Sequence, residues 1–183
     1  AMTTQGKIDF PADYKGSWVV LFSHPADFTP VCTTEFIALS RMNETFESLN
    51  TKLIGLSIDS LHSHLGWIKS IEALNFNNEG KVKIPFPIIA DISMNVARKY
   101  GMLQTVANTQ TVRAVFIIDP EGMIRTILYY PMSTGRNIPE IIRILQSLQL
   151  NDKTHYSTPA NWQPGDAVVM GAPLTIEEAQ ERL

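Results

Sequence analysis

The chain has a single cysteine, Cys32, among its 183 residues. One cysteine excludes an intramolecular disulfide framework, a Cys-x-x-Cys redox pair and a zinc site built from several cysteines. It also favours a reducing, cytoplasmic setting, in which disulfides are rare. A lone cysteine has two interpretations, a small buried hydrophobic residue or a reactive thiol. The residues around Cys32 decide between them.

The sequence also lacks an excess of positive charge and a long apolar run. Its 15 Lys and Arg residues against 18 Asp and Glu residues give a net charge of −3, and no basic stripe stands out. No apolar stretch approaches the roughly 20 residues of a membrane span, and residues 1–7 lack the apolar core of a signal peptide. We therefore expect a cytoplasmic protein with neither a nucleic-acid nor a membrane partner.

Apolar residues make up 44% of the chain, and their spacing predicts the main elements. Apolar, β-branched runs predict strands at residues 18–23, 53–58, 87–90, 114–119 and 124–130. Helical spacing predicts helices at residues 33–49, 60–74 and 94–100, and a further one after Asn137. The order β-α-β-α-β-α-β-β-α predicts an α/β fold, with a central mixed β-sheet flanked by helices on both faces.

The composition changes near residue 150. Residues 151–173 hold three prolines and two glycines with little periodicity, and residues 175–183 read as a short helix. We therefore expect a main domain over residues 1–150 and a C-terminal extension over residues 151–183, packed on that domain or on a partner subunit.

Cys32 falls at or within the first turn of the first predicted helix. There, unpaired backbone N–H groups and the helix dipole favour an anion. A thiolate is such an anion, and it is the nucleophilic form of cysteine. An ordinary thiol with a pKa of about 8.5 is only a few per cent thiolate at neutral pH, whereas a helix N-terminus with a cationic neighbour makes the thiolate the major form.

Several residues near Cys32 suit a reactive thiolate. Thr29 carries a hydroxyl three residues earlier, and Pro25 stiffens the loop before it. Arg113, at the head of a predicted strand, is expected near the same sheet edge, and Glu35, one helical turn after Cys32, is placed to hold it. Each has an ordinary alternative: a turn residue, a surface charge, or an acid favoured by the helix dipole.

These residues resemble a known motif. Pro25-x-x-x-Thr29-x-x-Cys32 is similar to the active-site motif of the peroxiredoxins, and residues 24–36 resemble the one-Cys, peroxiredoxin-6-like branch. The resemblance continues in order along the chain, through residues 55–60, 84–91, 111–116, 129–131, 134–137 and 158–162. It implies a thioredoxin-like fold and the reduction of hydrogen peroxide and organic hydroperoxides.

The resemblance also implies a role for each motif residue. Cys32 is the peroxidatic nucleophile, which becomes a sulfenic acid. Thr29 and Arg113 bind the peroxide oxygens and stabilise the thiolate, and Pro25 shields the sulfur. Glu35 positions Arg113. Two more residues are expected close to the pocket: a second basic residue, Arg136, and a histidine near the sulfur, His24.

The same resemblance sets the expected partners. No metal, haem, flavin or other cofactor is expected. With no second cysteine in the chain, the resolving thiol comes from outside, as a small thiol, a thioredoxin-type protein or another partner. A homodimer is expected, or a ring of dimers.

The sequence alone leaves two alternative functions open, and it raises one candidate metal site. Cys32 could act on disulfides instead of peroxides, or the fold could serve as a peroxide sensor or chaperone. His62 and His64 suggest a metal site, but two histidines near a helix start without a third ligand are predicted to be surface residues. The apolar face of their helix is predicted from its leucine and isoleucine residues, Leu61, Leu65, Ile68 and Ile71.

Overall fold

The computed structural model describes residues 1–105 and 108–181. Its strands are β1 (Met2–Thr3), β2 (Gly6–Lys7), β3 (Trp18–Ser23), β4 (Thr51–Ser57), β5 (Ile88–Ala90), β6 (Leu103–Thr105), β7 (Asn108–Thr111), β8 (Arg113–Ile118) and β9 (Ile124–Tyr130). Seven of them form one sheet in the order β2-β1-β5-β4-β3-β8-β9, and β6 pairs with β7. Strands β3, β4 and β5 run parallel, while β1, β8 and β9 are antiparallel to their neighbours. The predicted mixed sheet is confirmed.

The helices are α1 (Pro30–Arg41), α2 (Asn43–Ser48), α3 (Leu61–Ala73), α4 (Asn95–Lys99), α5 (Ile138–Thr154) and α6 (Ile176–Glu181). Short 3-10 turns lie at Ala12–Tyr14 and Phe76–Asn78. The single helix predicted over residues 33–49 is wrong, because the chain leaves helical geometry at Met42. The break keeps Phe36 and Leu39 buried on one side of it and Phe46 buried on the other.

The strands alternate side chains between two apolar layers. Val19 and Leu21 of β3 join a cluster that includes Ala97 of α4. Phe22 points to the other face, where its ring meets that of Phe36 of α1 at 5.5 Å. Helices therefore cover both faces of the sheet, as the predicted α/β architecture requires.

The buried face of α3 differs from the prediction. Leu65 is 39% exposed, whereas His64 and Trp67 are buried together with Ile71. The buried face of the helix is therefore shifted by about one residue from the face that its leucine and isoleucine residues mark. A buried histidine is tolerated here because its polar atoms find partners, as described below.

The sheet order brings two chain segments together beside Cys32. Phe22 near the end of β3 pairs with Val115 near the start of β8. Because the strands are antiparallel, the carboxyl end of β3 lies beside the amino end of β8. The loop from β3 into α1 therefore lies next to Arg113.

The chain divides into two compact units, Ala1–Ile138 and Pro139–Leu183. Every residue of the site described below belongs to the first unit. In the second, Ser157 and Val169 form an antiparallel bridge, and Arg143 donates a hydrogen bond to the Trp162 carbonyl oxygen at 3.3 Å. The domain boundary expected after residue 150 stays a prediction.

Candidate active site

Cys32 is the third residue of α1, in the first turn of the helix. Pro30 occupies the first helical position, where a missing backbone N–H is tolerated, and Thr29 precedes it as the N-cap residue. The Thr33 N–H closes the first turn by donating to the Thr29 carbonyl oxygen at 3.0 Å. The Cys32 side chain is fully buried, at the helix end whose dipole favours an anion.

Arg113 places a cation beside the sulfur. Its Nη1 donates a hydrogen bond to Cys32 Sγ at 3.2 Å and another to Glu35 Oε2 at 2.8 Å. Its Nε donates to the carbonyl oxygen of Met132 at 2.9 Å. These acceptors fix the guanidinium group, which is buried. A cation at hydrogen-bond distance from sulfur favours the nucleophilic thiolate over the thiol.

Glu35 holds Arg113 and Arg136 together. Glu35 lies three residues after Cys32, so the side chains of Glu35 and Cys32 share one face of α1. Its Oε1 accepts from the Arg136 backbone N–H at 2.9 Å and from Arg136 Nε at 3.0 Å. Its Oε2 accepts from Arg136 Nη2 at 2.6 Å as well as from Arg113. One buried carboxylate therefore orients two guanidinium groups, through a fork-like geometry for Arg136.

The cluster of Arg113, Arg136 and Glu35 has more positive than negative charge. Arg136 Nη1 also donates to the Ser23 carbonyl oxygen at 2.8 Å, and its guanidinium lies over the Phe22 ring at 5.1 Å. Two guanidinium groups against one carboxylate leave a single positive charge in a buried site. An unpaired buried charge is costly, and the Cys32 sulfur, 3.2 Å from Arg113 Nη1, lies where an anion would be stabilised.

Thr29 and Pro25 lie on the loop before α1. The Thr29 hydroxyl donates to the Ala26 carbonyl oxygen at 2.8 Å rather than to Cys32, so its oxygen lone pairs stay available as acceptors. Thr29 is half-buried and Pro25 is buried. The hydrogen bond to Ala26 lies within the loop, as expected of a turn residue, and it leaves the Thr29 oxygen able to accept a further hydrogen bond.

His24 belongs to a second buried cluster next to the first. Its Nε2 lies 2.9 Å from Asp27 Oδ1, and its ring packs against those of Phe36 at 5.0 Å and Trp67 at 4.9 Å. His64 Nδ1 lies 2.8 Å from Asp27 Oδ2. Asp27 is thus shared by two histidines, one from the loop and one from α3.

Burial acts on this cluster in opposite directions. Desolvation raises the pKa of Asp27, but the hydrogen bonds from His24 and His64 outweigh it and hold the pKa well below its ordinary value. Desolvation lowers the pKa of His24, although the hydrogen bond and charge of Asp27 oppose it. Asp27 is therefore a carboxylate at neutral pH, and His24 is neutral.

Sequence reasoning missed Asp27, His64 and Trp67. The prediction that His62 and His64 lie at the surface is wrong for His64, which is fully buried, and right for His62, which is exposed. The spacing of His64, Trp67 and Ile71 is itself a helical stripe, and this was the signal available. That signal is weak in the sequence alone, because a histidine in such a stripe is buried only when distant parts of the chain supply hydrogen-bond partners for its ring nitrogens.

Comparison with known proteins identifies the family of this chain. Residues 2–127 match the AhpC/TSA family, and residues 147–183 match the C-terminal domain of 1-Cys peroxiredoxin. The chain belongs to the peroxiredoxin family. A peroxiredoxin of Methanosarcina mazei is 59% identical over 185 residues, which cover all of this chain and 84% of the relative.

Two solved peroxiredoxins are similar throughout. A yeast mitochondrial 1-Cys peroxiredoxin has a TM-score of 0.88 at 44% identity, covering 99% of this chain and 86% of the other. A cysteine-to-serine mutant of the peroxiredoxin 6 of Arenicola marina has a TM-score of 0.87 at 40% identity, covering 99% and 83%. The thioredoxin-like fold and the resemblance to the one-Cys, peroxiredoxin-6-like branch are therefore confirmed.

Peroxiredoxins are thiol-dependent peroxidases, so the thiol-dependent peroxidase activity predicted from the sequence is confirmed. The single cysteine of this peroxiredoxin is consistent with a 1-Cys mechanism. Within residues 1–105 and 108–181, no helix has the length and apolar character needed to cross a bilayer.

Proposed function

We propose that Cys32 is the peroxidatic nucleophile and that hydrogen peroxide and organic hydroperoxides are its substrates. The observation that carries the proposal is the hydrogen bond from Arg113 Nη1 to Cys32 Sγ at 3.2 Å, in the first turn of α1. A thiolate held there by a fixed cation is prepared to attack before the substrate arrives, so no reorganisation is needed during the reaction.

The first chemical step consumes the thiolate. The Cys32 sulfur attacks one peroxide oxygen, an S–O bond forms and the O–O bond breaks. The cysteine becomes a sulfenic acid, and the other oxygen leaves as water or an alcohol once protonated. Arg113 stabilises the negative charge that develops on the leaving oxygen. Sulfur is oxidised by two electrons, and the peroxide is reduced by two.

The remaining residues orient the substrate and exclude water. The Thr29 oxygen accepts a hydrogen bond from the peroxide, with its own proton committed to Ala26. Pro25, which is buried, shields the sulfur from water. Glu35 and Arg136 are positioning residues that hold Arg113 against the sulfur. His24 supports the loop through Asp27.

An external thiol restores Cys32. The thiol attacks the sulfenic sulfur, an S–S bond forms and water leaves, and a second thiol then releases the Cys32 thiolate and a disulfide. The chain has no second cysteine to do this. The similar yeast mitochondrial enzyme is resolved through glutathione/thioredoxin systems, and we extend this to a small thiol or a thioredoxin-type protein here. Dependence on reduced thiols fits a cytoplasmic location.

Reaction of reduced protein with hydrogen peroxide tests the nucleophile. We expect Cys32 to react several orders of magnitude faster than free cysteine, with one sulfenic acid formed per chain, and Cys32→Ser to lose the reaction. Stopped-flow kinetics and mass spectrometry measure both quantities, and an alkyl hydroperoxide extends the test to organic substrates. A rate equal to that of free cysteine, beside fast exchange with disulfides, would instead favour a thiol-transfer enzyme.

A homodimer is also proposed. Strand β9 ends the seven-stranded sheet, and Ile124, Ile127 and Tyr129 on it are 45%, 46% and 53% exposed. An apolar strand at the edge of a sheet is prone to pair with another chain. We expect a molar mass of two chains, or a multiple of two, by sedimentation or light scattering. A monomer over the micromolar range would contradict the proposal.

A further inference from the structure

The cluster of His24, Asp27 and His64 has more ligand chemistry than the peroxidase reaction uses. All three side chains are buried, and one donor atom from each lies within 4.8 Å of the other two. Two imidazole nitrogens and a carboxylate oxygen are ligands that Zn²⁺ binds in proteins. These three residues come from two elements, the loop before α1 and the first turns of α3.

The hydrogen-bond geometry brings both histidine nitrogens to one carboxylate. His24 Nε2 and His64 Nδ1 both face the Asp27 carboxylate, at 2.9 and 2.8 Å. Each contact needs a proton on the nitrogen, because a carboxylate only accepts. A divalent cation bound among the three groups replaces these protons and binds the lone pairs they occupied.

The second ring nitrogens fit a metal site. His64 Nε2 lies 3.3 Å from the Ile89 carbonyl oxygen, which is the kind of contact that holds a ligating histidine in one tautomer and orientation. His24 Nδ1 is buried with no hydrogen-bond partner, so its proton is free to reside there when Nε2 binds a cation. The rings of Phe36 and Trp67 hold the His24 ring in place.

The two contacts between the histidines and Asp27 require only a small expansion. Zn–N and Zn–O bonds of about 2.0–2.1 Å in a tetrahedral site separate ligand atoms by about 3.3 Å. The present contacts of 2.8 and 2.9 Å must therefore widen by about half an ångström. Two of the three ligands are on a loop, where such a shift is easiest.

A strained residue follows Asp27 in the same loop. Phe28, directly after Asp27, is 61% exposed and has a φ of 57°. Residues other than glycine adopt this backbone conformation with strain. Its ring lies over α3, where a Cβ at Gly66 would be 3.7 Å from Phe28 Cζ.

We propose that His24, Asp27 and His64 form a binding site for a divalent transition-metal ion. Zn²⁺ is the preferred ion, and water is its fourth ligand. The ion ties the loop that precedes Cys32 to α3, and so stabilises the folded protein. The proposal does not rest on the peroxidase roles assigned above. It concerns a site that the sequence, with His64 expected at the surface, did not predict.

The test uses the untagged, metal-free full chain as Cys32→Ser, so that no thiolate competes for the ion. Titration with Zn²⁺ by calorimetry is expected to show one site per chain, and the melting temperature is expected to rise with Zn²⁺ concentration. Co²⁺ is expected to give the visible spectrum of a tetrahedral site with nitrogen and oxygen ligands. Absence of saturable binding by this folded chain overturns the proposal without any further variant.

Three variants locate the site. His64→Gln and Asp27→Asn, which conserve size and hydrogen bonding, are each expected to weaken Zn²⁺ binding at least about a hundredfold, because losing even a partner of a metal ligand costs about ten- to a hundredfold. His62→Gln removes an exposed histidine two residues away on the same helix and is expected to bind like its parent. Circular dichroism confirms that each variant folds. Undiminished binding in either of the first two, or loss in His62→Gln, contradicts the assignment.

Discussion

Replacing Arg113 by methionine is expected to lower the second-order rate constant for the reaction of Cys32 with hydrogen peroxide by about two to three orders of magnitude. That is the usual effect of removing one preorganised donor from a charge-stabilising site. The substitution removes both the cation at 3.2 Å from Sγ and the donor to Glu35. Stopped-flow kinetics under excess peroxide measure the rate constant directly.

Two further variants make this result specific. Arg113→Lys keeps a positive charge but loses the planar fork that reaches sulfur, carboxylate and the Met132 carbonyl at once, so we expect an intermediate rate. Arg125→Met removes an arginine of β9 that pairs with Asp119, and should leave the rate unchanged. If Arg113→Met folds and reacts as fast as the parent, the electrostatic explanation for the reactivity of Cys32 is wrong.

Replacing Glu35 by glutamine is expected to lower the free energy of unfolding by about 3–5 kcal/mol, since one partner of a buried ion cluster is removed and the other charges are left uncompensated. Glu35 accepts from both Arg113 and Arg136, and all three side chains are buried. Urea unfolding followed by circular dichroism measures the change, with the slope of the transition checked for two-state behaviour.

The control for this substitution is Glu44→Gln. Glu44 is an exposed acid on α2, so the same chemical change should alter the free energy of unfolding by no more than about 0.5 kcal/mol. A loss below about 1 kcal/mol in Glu35→Gln would mean that the two arginines find other partners or water. In that case Glu35 would not be the residue that holds Arg113 against the sulfur.

The strands and helices depend on short-range signals, and most were predictable for that reason. The apolar run at residues 18–23 matches β3 at both ends, and the turn at residues 120–122 joins β8 to β9 as an antiparallel pair. Strands β1 and β2 have two residues each, and an alternation of apolar and polar residues cannot be recognised over so short a length. The break at Met42 was also hidden, because the apolar stripe continues across it.

The reactive centre was predictable in a similar way. Thr29, Cys32 and Glu35 lie within seven residues of one another, and the motif around them places the cysteine at a helix start. Arg113 was expected from its position at the head of a strand. What could not be anticipated is how tightly the cluster closes, with Arg136 bound to Glu35 through three of its nitrogens.

The sequence by itself therefore determined the α/β order, the place of Cys32 in the first turn of α1, and the motif that marks its chemistry, because these depend on neighbours along the chain. The tertiary structure alone decided which polar side chains are buried. Arg113 reaches Cys32 across 81 residues, and His64 reaches Asp27 across 37. Burial of a charged or polar group is stable only when such a distant partner satisfies it, and that pairing exists only once the sheet has brought the segments together.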